Sequence, residues 1–177
     1  NSGETGYNVV VFLSRDDNHY NTVSVRHILV KAEASEDGTY TDEAKAAAKA
    51  RAEEILAEYN SGDKTEDSFA ALANEYSEDD GSKTNGGLYE NIYKGQMVQE
   101  FNDFCFAGHK AGDTGIVYGE SSSYAGYHVM YFVGEGEQYS DYLAKNSLLT
   151  ADMNAWLEEL TSAYETSVGS GISFVGK

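Results

Sequence analysis

Proline, cysteine, positive charge and long apolar runs are all scarce or absent in this 177-residue sequence. Proline does not occur, so no X–Pro bond within the sequence can slow its folding. The single cysteine, Cys105, excludes an internal disulfide and a cysteine-rich metal site, and its aromatic neighbours predict a buried structural thiol. No stretch approaches the roughly 20 apolar residues of a membrane-spanning helix.

Negative charge, by contrast, is abundant. Thirty acidic residues against 12 basic ones give a formal net charge of −18. A field of this sign repels nucleic-acid phosphates and anionic lipid headgroups, so we expect neither as a partner. The 41% of hydrophobic residues indicates a folded globular domain. The sequence opens without methionine or a visible signal peptide, which we interpret as a mature or truncated segment of a longer protein.

Apolar stretches predict several β-strands. The first two are at residues 7–13 and at VSVRHILV, residues 23–30. Side chains alternate between the faces of a strand, which divides the second strand into two sets. One face carries Val25, His27 and Leu29, and the other carries Ser24, Arg26, Ile28 and Val30. Further strands are predicted at GDTGIVY, at GYHVMYFVG and at the terminal ISFV.

Four helices are predicted from composition and spacing. Thr41 is a suitable N-cap for the strongest, DEAKAAAKARAEEILAEYN, whose first-turn carboxylates suit the helix dipole. The others are at DSFAALANEYS, at residues 97–106 and at residues 150–165. The stretch EDDGSKTNGGLYENIYKG is predicted to be a loop. Three helices inserted after a strand, with further strands following, indicate an α+β domain with a small sheet covered by helices.

Two of the four histidines, His27 and His128, lie inside predicted strands, whereas His19 lies in a polar loop. If the two strands are neighbours, the imidazoles can meet on one face and share a hydrogen bond, which would fix both tautomers. Alternatively, they are two unrelated core histidines bonded to backbone or tyrosine. The residues alone leave both interpretations open.

Other residues with chemical potential have ordinary structural explanations. Asp79 and Asp80 precede a glycine-rich loop, where aspartate commonly makes turns. Met97 and Phe101 are four apart on a predicted helix, a spacing typical of core packing. Cys105 and His109, also four apart on the predicted helix, are too few ligands for a zinc centre.

Five segments in order resemble the parvulin-type peptidyl-prolyl cis/trans isomerases. They are RHILV, FAALANEYSEDDGSKTNGGL, KGQMVQEF, FAGHKAGDTG and GYHVMYFVG, and they run from about Val23 to Gly134. The flanks loosely resemble those of the extracellular foldase lipoproteins of Gram-positive bacteria. The resemblance implies a small antiparallel sheet surrounded by helices, with an extra N-terminal strand and a C-terminal helix.

The resemblance also implies roles for individual residues, in two groups. The catalytic group contains His27, Asp79 and His128, with the histidines paired at the centre of the sheet and the aspartate beside the substrate amide. The substrate-binding group, which takes the proline ring, contains Leu88, Gln96, Met97 and Phe101.

The sequence departs from the family pattern at three places. Gln99 stands where the family often has proline, and the segment from Leu88 to Met97 is about one residue longer than usual. Phosphate-directed parvulins carry a basic cluster after the first strand, but here Lys31 is followed by the acidic stretch AEASEDG. A phosphorylated substrate would be repelled there, so we expect no phospho-specificity.

The implied activity is non-covalent isomerisation of X–Pro bonds, which requires no cofactor and no metal. The expected partners are unfolded or proline-containing polypeptides, and the expected location is extracytoplasmic, with a lipid anchor in the full-length parent. The alternative is a catalytically weak holdase that binds extended polypeptide. We divide the chain into an N-terminal strand and linker (1–22), the isomerase domain (23–135) and a helical extension (136–177). The terminal extensions are candidates for a homodimer contact.

Overall fold

The computed structural model describes residues 17–121, 123–162 and 164. The predicted strands at residues 7–13 and at the terminal ISFV lie outside the described residues. The chain divides into two compact units, the first ending at Tyr139 and the second beginning at Ser140.

The first unit contains a four-stranded antiparallel sheet in the order β2-β1-β4-β3. Its strands are β1 (Asn21–Lys31), β2 (Leu88–Ile92), β3 (Thr114–Glu120) and β4 (Ala125–Gln138). The predicted α+β class is confirmed. The loop predicted over the β2 segment was wrong, because five of its residues pair with β1 as an edge strand.

The helices of the chain are α1 (Asp42–Ser61), α2 (Glu66–Tyr76), α3 (Gln99–Cys105) and α4 (Tyr139–Ser162). Thr41 caps α1 as predicted, accepting from the backbone N–H of Ala44 at 3.2 Å. Thr65 and Ser68 form a capping box at the start of α2. The helix predicted at residues 97–106 begins later, at Gln99, and α4 begins well before residue 150.

The two faces of β1 pack against different neighbours, as the alternation predicted. Ile28 and Val30 join α1 and α2 in one apolar core. Val25 joins a second core that includes Phe101, Phe104 and Cys105 of α3. Cys105 is buried as predicted, and burial raises the pKa of its thiol to about 12.

The chain enters β1 and leaves β4 side by side. Asn21 is paired with Gln138 in the sheet, and the backbone N–H of Tyr139 donates to the carbonyl of Tyr20 at 2.8 Å. The Tyr139 ring lies over Tyr20 and Tyr93, with centroid distances of 5.4 and 4.7 Å. Aromatic contacts therefore hold the two ends of the sheet domain together.

Helix α4 forms most of the described part of the second unit. Its large apolar side chains are exposed, among them Leu148, Leu149, Met153, Trp156, Leu157 and Leu160. Within the described ranges, no helix has the length and apolar character needed to cross a membrane.

Candidate active site

The two strand histidines form a facing pair in the centre of the sheet. His27 on β1 is opposite Met130, and His128 on β4 is opposite Leu29, so both side chains point to the same face. Their Nδ1 atoms are 3.0 Å apart, and the rings stack with centroids separated by 5.2 Å. Both side chains are buried, and burial lowers the pKa of His128 to about 3. His128 is therefore neutral at pH 7.

Asp79 completes one end of this pair. Its Oδ2 atom lies 2.9 Å from Nε2 of His27 and also accepts hydrogen bonds from the hydroxyls of Ser82 and Tyr89. The hydrogen bond with His27, together with that from Ser82, holds the pKa of Asp79 well below its usual range. The carboxylate therefore stays ionised although it is partly buried.

The segment after α2 holds Asp79 in place. Ser77, the C-cap of α2, accepts from the backbone N–H of Leu29 at 3.1 Å, and the N–H of Glu78 donates to the Leu29 carbonyl at 2.9 Å. Gly87 follows with φ of +69°, and a Cβ there would lie 2.1 Å from the carbonyl oxygen of His27. Only glycine allows the glycine-rich loop to approach β1 so closely.

A mainly apolar cavity of about 190 Å³ opens beside the histidine pair. Phe101 presents its ring at 75° and 88° to the two imidazoles, with centroid distances of 5.4 Å to each. Cavities of about 150 Å³ can hold a benzene molecule, so the hollow is large enough for a proline ring. Its lining residues are His27, Leu29, Asp79, Tyr89, Met97, Val98, Phe101, Tyr124 and His128.

Two residues predicted to bind substrate lie elsewhere. Leu88 is paired with Arg26, so its side chain is on the opposite face of the sheet, and Tyr89 occupies the cavity side instead. Gln96 is exposed, and its Oε1 accepts from the backbone N–H of Tyr93 at 3.1 Å, closing a turn. The prediction for Leu88 is therefore off by one residue along β2. The prediction for Gln96 fails because its side chain turns back to the backbone of Tyr93.

Sequence reasoning also missed Tyr89 and Tyr124 as lining residues. The extra residue noted between Leu88 and Met97 is a signal for the first, since a shift of one residue brings Tyr89 to the position assigned to Leu88. No motif pointed to Tyr124, whose hydroxyl lies 3.1 Å from Nε2 of His128.

Cys105 and His109 do not share a helix, because α3 ends at Cys105. The His109 ring packs on Phe104 at a centroid distance of 4.2 Å. Across the described ranges, no group of three or more histidine, cysteine, aspartate or glutamate side chains is arranged to hold a metal.

A larger cavity, of about 350 Å³, lies between α1 and the end of β1. Val30, Ala48 and Ile55 line it, with Arg51 and Glu78 also contributing. It contains neither of the paired histidines, so the smaller cavity is the candidate active site.

Known proteins resemble this chain in sequence. It is 36% identical over 114 residues to foldase protein PrsA 3 of Bacillus cereus, covering 64% of this chain and 32% of that protein. It is 32% identical over 166 residues to foldase protein PrsA 1 of Listeria innocua, covering 90% of this chain and 48% of that protein. The chain thus spans about a third to a half of the length of these relatives.

A solved structure, the peptidylprolyl isomerase PrsA from Bacillus cereus, is 27% identical with a TM-score of 0.48, covering 87% of this chain and 54% of that one. Residues 7–133 match the PPIC-type PPIASE domain family. The predicted relationship is confirmed: the chain belongs to the PPIC-type peptidyl-prolyl cis/trans isomerase family.

Proposed function

We propose that this chain catalyses cis/trans isomerisation of X–Pro bonds in the cavity beside the histidine pair. The observation that carries the proposal is the meeting of an apolar hollow with an ionised carboxylate, that of Asp79, at its edge. The first supplies a place for the proline ring, and the second a charge beside the amide.

The reaction itself needs little more than differential solvation. Rotation about a peptide bond faces a barrier of roughly 18–20 kcal/mol, because twisting destroys amide resonance. In the twisted state the carbonyl oxygen loses partial negative charge and the nitrogen gains a localised lone pair. No covalent bond is made or broken, so the site requires no nucleophile. A catalyst has only to bind the twisted state more tightly than either planar state.

The apolar wall contributes by removing water from the amide. Met97 and Phe101 line the cavity, and Phe101 is only 3% exposed. Water stabilises the planar, more charge-separated amide, so its exclusion favours the twisted form. Each ~1.4 kcal/mol of such preference gives a tenfold gain in rate.

Asp79 contributes through its charge. A carboxylate near the substrate carbonyl disfavours oxygen that keeps its negative charge, and so raises the energy of the planar amide relative to the twisted one. His27 holds the carboxylate at 2.9 Å, and His128 holds His27. We assign the histidines to orientation rather than to proton transfer.

A direct test is the exchange rate of an X–Pro tetrapeptide, measured by NMR exchange spectroscopy with and without the chain. We expect clear acceleration by the wild type and by Gln96→Ala, whose side chain lies outside the cavity. Loss of acceleration is expected for His27→Ala, together with lower stability. A wild-type chain that leaves the exchange rate unchanged would refute the proposal.

The charges near the site support a substrate that is not phosphorylated. Lys31 at the end of β1 is followed by Glu33, Glu36 and Asp37, all exposed. Peptides with serine, phosphoserine or lysine before proline should therefore rank with phosphoserine slowest at low salt. Convergence of the three rates at high salt would confirm that the ranking is electrostatic.

The exposed apolar side chains of α4 favour a second candidate function, that of a holdase for extended polypeptide. Trp156 and Leu148, 55% and 66% exposed, are unusual on a surface unless something covers them. Suppression of aggregation of an unfolded client by the full chain, weakened by Trp156→Ser and unaffected by a folded Phe101→Ala chain, would support it. The same helix is our candidate for a homodimer contact, which light scattering over a range of concentrations would test.

The clients we propose are unfolded or secreted proteins, and we place the activity outside the cytoplasm, with a lipid anchor in the full-length parent. The similarity to foldases named PrsA supports this location. Labelling of the full-length protein on intact cells with a membrane-impermeant reagent tests it, and protection from the reagent until lysis would contradict it.

A further inference from the structure

Tyr124 terminates the hydrogen-bonded chain at the end opposite to Asp79. Its hydroxyl lies 3.1 Å from Nε2 of His128, and the two rings meet edge to face with centroids 5.8 Å apart. The Tyr124 carbonyl accepts from the N–H of Ser121 at 2.8 Å, immediately before β4. Tyr124 also lines the cavity.

The neighbouring strand leaves room for this contact at a glycine. A Cβ on Gly119 of β3 would lie 2.7 Å from Nε2 of His128 and 3.1 Å from the hydroxyl oxygen of Tyr124. Any larger residue there would push the phenol and the imidazole apart. The space at Gly119 is therefore a condition for the hydrogen bond.

At the other end of the network, neutral groups already donate hydrogen bonds to both carboxylate oxygens of Asp79. The hydroxyls of Ser82 and Tyr89 donate to Oδ2, and the backbone N–H of Gly81 donates to Oδ1 at 3.2 Å. A charged imidazole is not required to satisfy it, and a buried imidazolium is costly to create. The network is complete with both rings neutral.

Neutral rings give the hydrogen bonds one direction. The Asp79 carboxylate only accepts, so Nε2 of His27 carries its hydrogen and Nδ1 is an acceptor. His128 must then donate from Nδ1, which leaves its Nε2 to accept from the hydroxyl of Tyr124. We infer that Tyr124 is a positioning residue that fixes the tautomers of both histidines. As a role in catalysis, this inference rests on the proposed isomerase function.

Loss of the hydroxyl would release this constraint. The other tautomer of His128 would turn two Nδ1 lone pairs toward each other, unless His27 also moves its hydrogen and gives up its bond to Asp79. The carboxylate beside the substrate amide would then be held less firmly. Tyr124 thus acts on Asp79 through two imidazoles.

Imidazole nitrogen NMR of the ¹⁵N-labelled full chain at pH 7 tests the inference. In the wild type we expect His128 to be protonated at Nδ1 and His27 at Nε2. In Tyr124→Phe we expect a mixture of tautomers at both rings. The value of kcat/KM on an X–Pro tetrapeptide should fall about threefold to tenfold, as loss of one hydrogen bond implies.

Two further variants sharpen the experiment. Tyr118→Phe is the matched control, since that hydroxyl donates to Glu120 away from the cavity, and it should leave both tautomers and the activity unchanged. Gly119→Ala should reproduce the tautomer mixture with the Tyr124 hydroxyl still present, and it replaces Tyr124→Phe should that variant not fold.

Protonation of His128 at Nε2 in the wild type would overturn the inference, as would wild-type tautomers in a folded Tyr124→Phe chain. The spectrum reports tautomers whether or not the chain is active. Failure of the proposed function is seen separately, as absence of catalysis by the wild type.

Discussion

On one face of β1, Ile28 and Val30 pack against the two long helices of the domain, while on the other face His27 lies between a carboxylate and a second histidine. Both faces are buried to a similar degree. Ile28 and Val30 contribute stability through the apolar area that they bury. The second places polar groups in a dry environment, where electrostatic interactions are strong.

The polar face is tolerated because its hydrogen bonds are complete. Throughout the described ranges, no buried side-chain nitrogen or oxygen lacks a hydrogen-bond partner. Burial of polar groups destabilises a fold mainly when a partner is missing. One strand can therefore support the fold with one set of side chains and hold a buried polar network with the other.

The largest expected effect is a loss of stability from a change on the face of the sheet that packs against α1 and α2. Phe69 of α2 is fully buried, with ring centroids of Tyr59 and Tyr131 at 5.4 and 5.3 Å. Phe69→Ala should lower the free energy of unfolding by about 3–5 kcal/mol, measured by urea denaturation. The kcat/KM of the folded fraction should stay within about twofold of the wild type, which corresponds to a change of ~0.4 kcal/mol in the activation barrier. A tenfold loss there would show that the two faces are not independent.

The corresponding change on the cavity face is Phe101→Ala. It should lower kcat/KM on a short X–Pro peptide about thirtyfold, or ~2 kcal/mol, because the proline ring loses its wall and water enters. Circular dichroism at the assay temperature serves as the control for folding. Full turnover by a folded Phe101→Ala chain would place the proline pocket elsewhere.

Acidification should weaken the cavity face selectively. The pKa of His128 falls from 6.5 to about 3 on folding, so between these values the unfolded chain binds a proton that the folded chain does not. Stability contributed by His128 is thus present above pH 6.5 and is lost as the pH falls toward 3. Asp79, whose pKa is also lowered, adds a loss in the same direction below its ordinary value of 3.8.

The measurement for this prediction is a difference between two chains, because a net charge of −18 makes general acidification relieve repulsion. Going from pH 7 to pH 5, the wild type should lose about 1–2 kcal/mol more unfolding free energy than His128→Gln. Parallel pH profiles for the two chains would contradict the assignment of a neutral, buried His128.

The smallest effect separates two neighbours on β2. Tyr89 lines the cavity and Leu88 faces the other way. Tyr89→Ala should lower kcat/KM about fivefold, near 1 kcal/mol, whereas Leu88→Ala should leave it unchanged. The reverse ranking in the same peptide assay would show that Leu88, not Tyr89, faces the substrate, and would contradict the register between β1 and β2.

Sequence reasoning performed best where periodicity was strong. The alternation along residues 23–30 predicted which side chains of β1 share a face, and the alanine-rich segment predicted α1 with its cap at Thr41. Strand β2 was missed because LYENI is short and contains Glu90 and Asn91, so only its pairing with β1 makes it a strand. The start of α4 was missed because its first turns lack a clear apolar stripe.

The residues of the candidate site also divide into those that could be predicted and those that could not. The resemblance to parvulins brought out the histidines, Asp79, Met97 and Phe101, all of which line one cavity. Tyr124 could not be predicted, because its contact with His128 depends on the absence of a side chain at Gly119 of another strand. A contact that depends on three residues from two strands and the segment between them produces no periodic pattern in the sequence.

The adjacent entry and exit of the sheet domain have a consequence for how such a domain is combined with other polypeptides. Tyr20 and Tyr139 are joined by a single 2.8 Å hydrogen bond, so the span between them begins and ends at one point in space. A domain with such adjacent ends can be inserted into a surface turn of another protein without separating that protein's strands or helices. For the same reason, residues 20–139 could be replaced by a short glycine linker that joins the segments on either side.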